Sequence, residues 1–300
     1  MEFVAGIIVF NLTHNGHCIF GYDNIPYARR QTKKQVYFQK YGRCQRNPLP
    51  FGQECLQTAK LIREDKKGSL QLLVSGGIDS EIILRSFRQL EIPIDVVVIR
   101  FKNDLNIQDI SWAVVTLEGL GIKYRFLDLD IRKFLENEAF DKAKISQSRA
   151  PFMHVLCWAL DQLDGIPILG SGELELVRNE TTKSYEHIEN ESRMGMLKYL
   201  NYNNRDGVPL FFQYTPELML SWLQEPLIKG FVAYSSEANS RARKTEIFHN
   251  YFDMLPRRKY DGYEKIIEEV EEYKKALTAI IPLDSTIRRS YSNLSSNLRL

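Results

Sequence analysis

The sequence predicts an α/β fold: a parallel sheet with helices on both faces, a small β-rich segment before it and a helical part after it. Three observations predict this. The runs LQLLV (70–74), IDVVVIRF (94–101) and IPILG (166–170) are nearly continuous in large apolar residues, the pattern of strands buried on both faces of a parallel sheet. Segments of helical spacing separate them, as over 106–119, where Ile107, Ile110, Val114 and Leu117 share one face. A chain of 300 residues that is 44% hydrophobic can also bury a large core, most naturally as one main domain with a smaller unit attached.

Residues 4–10 (VAGIIVF) and 17–20 (HCIF) read as short strands around NLTHNG, with 36–38 (VYF) as a third, so residues 1–62 form the small β-rich segment. The body, residues 63–280, opens with the strand LQLLV, a helix over 80–90, the strand over 94–101 and the helix over 106–119. KYRFLDLD (123–130) is the next strand, followed by helices over 131–140 and 150–163 and the strand over 166–170. Beyond residue 180 the strand signal gives way to helices over 216–229, 236–252 and 262–280, and residues 281–300, rich in Ser and Arg, read as a mobile tail. No internal repeat and no Pro/Gly/Ser linker divides the chain.

Composition excludes some functions. The formal net charge of +2 is too small to point to nucleic acid or membrane by itself, so such a role must rest on local clustering. The longest apolar stretches run about eight residues, against roughly 20 for a membrane span, and Met1-Glu2-Phe3 opens no secretory signal; a soluble, cytoplasmic protein is expected. Cys18, Cys44, Cys55 and Cys157 form no CxxC pair, which argues against a zinc ribbon and for free thiols. The sequons at Asn11, Asn179, Asn190 and Asn293 carry no weight in such a chain.

The chemistry concentrates in SGGIDS (75–80), between the strand LQLLV and the helix EIILRSFRQL. A turn from a parallel strand into a helix lies at the carboxyl edge of the sheet, where the helix presents unpaired N–H groups and its positive dipole end. Gly76 and Gly77 permit positive φ and close approach, and Ser75 and Ser80 add hydroxyl donors, so a phosphate can be wrapped without a basic side chain. Asp79 alone would repel it. The carboxylate makes sense if Mg2+ bridges it to phosphate oxygens. The bland alternative is a glycine-rich turn capped by Ser and Asp.

The whole pattern S-G-G-x-D-S, placed after a strand and before a helix, resembles the pyrophosphate loop of the N-type ATP pyrophosphatases. That superfamily includes asparagine, GMP and NAD synthetases and tRNA-modifying enzymes. The resemblance implies an adenine nucleotide alpha hydrolase-like sheet and cleavage of ATP between its α- and β-phosphates. A carboxylate or carbonyl oxygen is adenylated, a nucleophile displaces AMP, and Mg2+ sits on Asp79. ATP would lie against Val74, Ser75, Gly76, Gly77, Asp79, Ser80, Arg100 at the end of the next strand, and Gly170.

Two further stretches are similar to asparagine synthetases and the related β-lactam synthetases. ILGSGELEL (168–176) stands where those enzymes carry G-D-G-A-D-E, with Ser171 and Leu174 in place of carboxylates, so Glu173 or Glu175 is left to supply the second metal ligand. A helix start capped by Ser171 is the structural alternative. RKTEIFHNYFDMLPRRKYDGYE (243–264) resembles their K…LP…R-x-K-x-G-F segment and puts Lys259 on the catalytic lysine, Lys244 on the earlier one at a shorter interval, and Arg257 beside substrate.

Asparagine synthetases begin with a glutaminase domain whose cysteine follows the initiator Met. Here residue 2 is Glu and the first cysteine is Cys18, so the nucleophile expected is ammonia or an amine and not glutamine. Neither the cysteine pair of thiolating relatives nor the zinc site of deazaguanine nitrile synthases is present.

Residues 28–46 hold seven Lys/Arg and no acid, interleaved with Tyr37, Phe38 and Tyr41. This is either a nucleic-acid platform or a hairpin with a solvated basic face. His154 on an apolar helical face reads as a core histidine; Ser148, Arg149 and Pro151 open the same helix, and Arg178 and Glu180 follow the acidic stretch as candidate substrate contacts. Three functions stay open: an AMP-forming ligase that joins a small carboxylate to ammonia or an amine, a nucleobase- or nucleic-acid-modifying enzyme of the same chemistry, and a nucleotide-binding module without turnover.

Overall fold

The computed structural model describes all residues except 1, 5, 6, 10–16, 256, 258, 259, 261 and 282–284, and the backbone alone for 2–4, 7–9 and 242. Strands β1 (Glu2–Val4) and β2 (Ile7–Val9) pair antiparallel. A second antiparallel sheet, ordered β4-β3-β5, comprises β3 (Cys18–Tyr22), β4 (Ile25–Pro26) and β5 (Tyr37–Tyr41). Asp23 and Asn24, both at positive φ, make the two-residue turn whose twist suits a hairpin.

Helix α1 (Phe51–Asp65) follows and runs across the boundary expected at residue 62. Its buried Phe51, Cys55, Ala59 and Ile62 recur at helical spacing, a signal the strand reading of this region passed over.

The central sheet is as expected. Strand β6 (Leu70–Leu73) leads into α2 (Ile78–Gln89), β7 (Asp95–Phe101) into α3 (Ile107–Gly119), and β8 (Tyr124–Leu129) into α4 (Ile131–Glu136) and α5 (Ala139–Ser146). After α6 (Pro151–Asp161) comes β9 (Ile166–Ile168), and the order β8-β7-β6-β9 is parallel throughout. Leu70, Leu72, Val96 and Val98 point to one face and pack with residues of α1, α2 and α3; Leu73 and Val97 point to the other and pack with residues of α6. That two-sided burial is why these strands read as apolar runs.

The chain moves outward from β6 through β7 to β8, then returns to place β9 on the other side of β6. The strand order therefore reverses between β6 and β9, the point where open α/β sheets form a crevice at the carboxyl ends of their strands.

The last third holds strands the sequence reading missed. β10 (Leu176–Arg178) and β11 (Tyr185–Asn190) pair, and α7 (Gly195–Tyr202), α8 (Pro216–Gln224), α9 (Pro226–Tyr234), α10 (Arg241–Tyr251) and α11 (Ile267–Ile280) follow. The segment expected as a mobile tail is instead strand β12 (Thr286–Ser290), paired with β11, and helix α12 (Tyr291–Leu298). Leu294 and Leu298 are buried in the main core, and the backbone of Cys44 donates to the carbonyl of Leu298 at 2.8 Å. Two apolar side chains in a polar stretch supply the burial, roughly 1.5–3 kcal/mol each, that orders it. Among the described residues no helix is long and apolar enough to cross a membrane.

Candidate functional site

The loop after β6 is shaped by two glycines with different duties. Gly76 has φ +77, and a Cβ there would lie 2.3 Å from the carbonyl oxygen of Asp109 on α3, so only glycine fits. Gly77, expected to share the positive φ, is instead extended (φ −74) as the N-cap of α2. Ser80 does not face outward as a donor: it is buried, its hydroxyl donates to the Gly77 carbonyl at 3.0 Å, and it braces the loop from within. Ser75 is exposed at the loop's mouth, and Val74 is buried with its N–H bonded to the Val97 carbonyl. Among the described residues no side chain caps α2, so its first N–H groups have no side-chain acceptor there.

The loop after β9 closes the opposite wall. A Cβ on Gly170 would sit 2.9 Å from the Ser80 nitrogen, so this glycine lets the two loops touch, and Gly172 turns the chain at φ +92. The chain then enters β10 at Leu176, and no helix starts at Ser171. Glu173 is directed to the crevice, whereas Glu175 lies 3.6 Å from Arg241 and takes its backbone carbonyl to His187.

Lys244, on α10, joins the walls. Its Nζ is 2.8 Å from each carboxylate oxygen of Asp79 and 3.5 Å from Oε1 of Glu173. Burial works to lower its pKa, but the two carboxylates outweigh this and hold it above the ordinary lysine value. The helix is set in place by aromatic packing four residues on, where Phe248 stacks on Phe51 at 5.6 Å and 6°. Such pairs contribute about 0.5–1.5 kcal/mol beyond their buried area.

Arg257 approaches the loop from behind. It donates to the Gly76 carbonyl at 2.8 Å, pairs with the buried Glu81 of α2 and lies over the Trp112 ring. It thus holds the loop's backbone. Glu81, which pairs with Arg257, and Asp109, whose carbonyl lies against Gly76, had no motif to reveal them. Lys259 lies outside the described residues.

The other candidates have partners of their own. Arg100 ends β7 paired with Asp128 at 2.6 Å and stacked over Phe126, and Arg178 donates to the Ser236 carbonyl. Glu180 pairs with Lys183 in an exposed turn. His154 is a satisfied core histidine: Nε2–H donates to the Ser148 carbonyl at 3.0 Å and Nδ1 accepts from Tyr273 at 2.8 Å. Arg149 donates to the Ile281 carbonyl, and all four cysteines are buried and free.

Three of the seven basic side chains of residues 28–46 have partners within the fold. Arg30 pairs with Glu191, Arg46 with Glu54, Arg29 donates to the carbonyls of Lys144 and Ile145, and Tyr37 is buried. Lys33, Lys34, Lys40 and Arg43 remain on the surface.

The donor set suits magnesium in the manner the ion usually adopts, one or two carboxylates completed by phosphate oxygens. Asp79 and Glu173 already converge on one cation. Among the described residues no group of three or more His, Cys, Asp or Glu side chains is arranged to hold a metal alone.

The fold and site define an α/β protein with an uncapped helix N-terminus and two carboxylates at the reversal point of a parallel sheet. The sequence matches no family model and no curated protein. Among solved structures it is similar to NMN synthetase from Francisella tularensis, at 15% identity over 78% of this chain and 95% of that one, with a TM-score of 0.33. A likeness that loose identifies no residue or activity of this chain.

Proposed function

We propose that the chain is an ATP-dependent, AMP-forming ligase that adenylates a carboxylate and passes the acyl group to ammonia or an amine. The observation that carries this reading is the convergence of Asp79 and Glu173 across the crevice between β6 and β9, directly beside the open start of α2.

In this reading the N–H groups at the start of α2 hold the leaving pyrophosphate, and Gly76, fixed by Arg257 and the α3 backbone, keeps the loop close enough to do so. Asp79 and Glu173 would hold Mg2+, which would supply charge neutralisation for the phosphates. A substrate carboxylate oxygen attacks the α-phosphorus as the bond to the β-phosphate bridging oxygen breaks. The amine then attacks the acyl carbon, loses its proton and displaces AMP. Lys244 and Lys259 stabilise the negative charge that develops in these steps, chiefly electrostatically.

A pyrophosphate-exchange screen over amino acids and small carboxylates tests the proposal, because exchange requires both binding and adenylation. Label entering ATP with one class of carboxylate supports it and names the substrate. Nucleotide bound firmly with no exchange on any carboxylate would instead favour a module without turnover.

A further inference from the structure

The position of Lys244 raises a question of charge. Asp79 and Glu173 face each other across the crevice, and two carboxylates brought together repel unless a cation lies between them. The ammonium of Lys244 does so, at 2.8 Å from both oxygens of Asp79 and 3.5 Å from Glu173. It is therefore placed where a divalent ion held by the same carboxylates would be. Both cations cannot occupy that point.

We propose that Lys244 is a built-in stand-in for the divalent cation: it holds the two carboxylates together while the site is empty and is displaced from them when the metal arrives with nucleotide. The inference rests on the reading of this site as an ATP loop and deepens it. Displacement frees an ammonium beside the start of α2, so the act that seats the metal also delivers a second positive charge to the phosphates. The other described cations of this turn are held by other acids. Arg243, in the same turn of α10, pairs with Glu237 at 2.9 Å and Glu246 at 3.0 Å, and Arg241 lies by Glu175.

A competitor that must be expelled weakens binding of what expels it. Mn2+ alone, titrated without nucleotide into the whole chain and followed by loss of the free-ion paramagnetic resonance signal, reads this directly. Lys244→Met is expected to bind Mn2+ about tenfold or more tightly than wild type, within the roughly 5–150-fold range of such couplings. Arg243→Gln, which removes an equal charge from the same turn, should stay within about twofold of wild type. Equal or weaker metal binding by Lys244→Met overturns the proposal.

A second measurement on wild type covers a variant that fails to fold. Saturating Mn2+ should raise acylation of the Lys244 amine severalfold relative to the exposed Lys229, and an unchanged ratio overturns the swap. Binding of a non-hydrolysable ATP analogue with Mn2+ separates the two levels. If wild type binds the analogue and both metal tests fail, the swap alone is wrong; if the analogue does not bind at all, the ATP reading and the swap fall together.

Discussion

Replacing Gly76 and Gly77 in turn by alanine separates two glycines that the sequence presents as equivalent. At Gly76 an alanine must hold φ near +77, which costs about 1–2 kcal/mol for an L-residue. Its methyl must also displace the Asp109 carbonyl, 2.3 Å away, or the backbone nitrogen of Ala113, 3.1 Å away, and overpacking of this kind adds about 1–3 kcal/mol. The sum is about 3 kcal/mol. At Gly77 the backbone is already extended, and the methyl meets only the flexible Ser75 hydroxyl at 3.3 Å. The small loss of N-cap preference there is offset by the reduced freedom of the unfolded chain, about 0.4–1 kcal/mol, so the net effect is near zero.

For 300 residues the unfolding entropy is about 0.6 kcal/mol/K, so Gly76→Ala should lower Tm by about 5 °C while Gly77→Ala leaves it within about 1 °C. Calorimetry on wild type and both variants reads the difference. Equal melting temperatures for the two variants, whatever their value, would refute the assignment of the positive φ and of the α3 contact to Gly76 alone.

Three other outcomes are expected. Lys259→Ala should lower AMP formation several-hundredfold or more with ATP binding kept, since one group on a developing charge contributes about 3–4 kcal/mol, and a near-normal rate of pyrophosphate release would remove its catalytic role. Leu298→Ala should cost about 2–5 kcal/mol in urea unfolding, because the side chain is fully buried; a loss below about 0.5 kcal/mol would restore the mobile tail. Burial holds His154 and His187 uncharged in the folded chain down to about pH 4, whereas the unfolded chain binds these protons near pH 6.5. The unfolded state therefore binds more protons in that window, and stability falls as pH drops from about 6.5 to about 4, by about 2 kcal/mol per imidazole at pH 5. Urea unfolding at pH 7.5 and pH 5 checks this, and His154→Gln should reduce the slope; an unchanged slope would mean that His154 is not held neutral.

The central sheet was legible because its strands are buried on both faces and each is joined to the next by a helix with its own spacing. The loop after β6 was legible because one short segment carries all its chemistry. What escaped the sequence depends on distant partners. β11 reads YEHIEN, too polar for a buried strand, yet His187 and Glu189 are buried, the latter against Arg289 of β12 at 2.7 Å. That partner lies in the segment that reads as a tail, so neither strand is visible without the other. Arg257 escaped for the same reason: its role depends on a carbonyl and on Glu81, to which no motif ties it.

The start of α10 shows how such a pairing can still leave a mark on the sequence. Arg241, Arg243 and Lys244 fill the first turn with no acid among them, at the end of a helix where the dipole disfavours cations by about 0.3–1 kcal/mol each. A helix with that composition is locally inconsistent, and natural sequences break local rules where something else in the fold compensates. Here the compensation is a carboxylate for each cation: Glu175 for Arg241, Glu237 and Glu246 for Arg243, and Asp79 with Glu173 for Lys244. Two of those five acids form the site. Four of those five acids reach the first turn from outside α10, so the local inconsistency is resolved only by the fold, and Lys244 is the cation through which α10 meets the loop after β6.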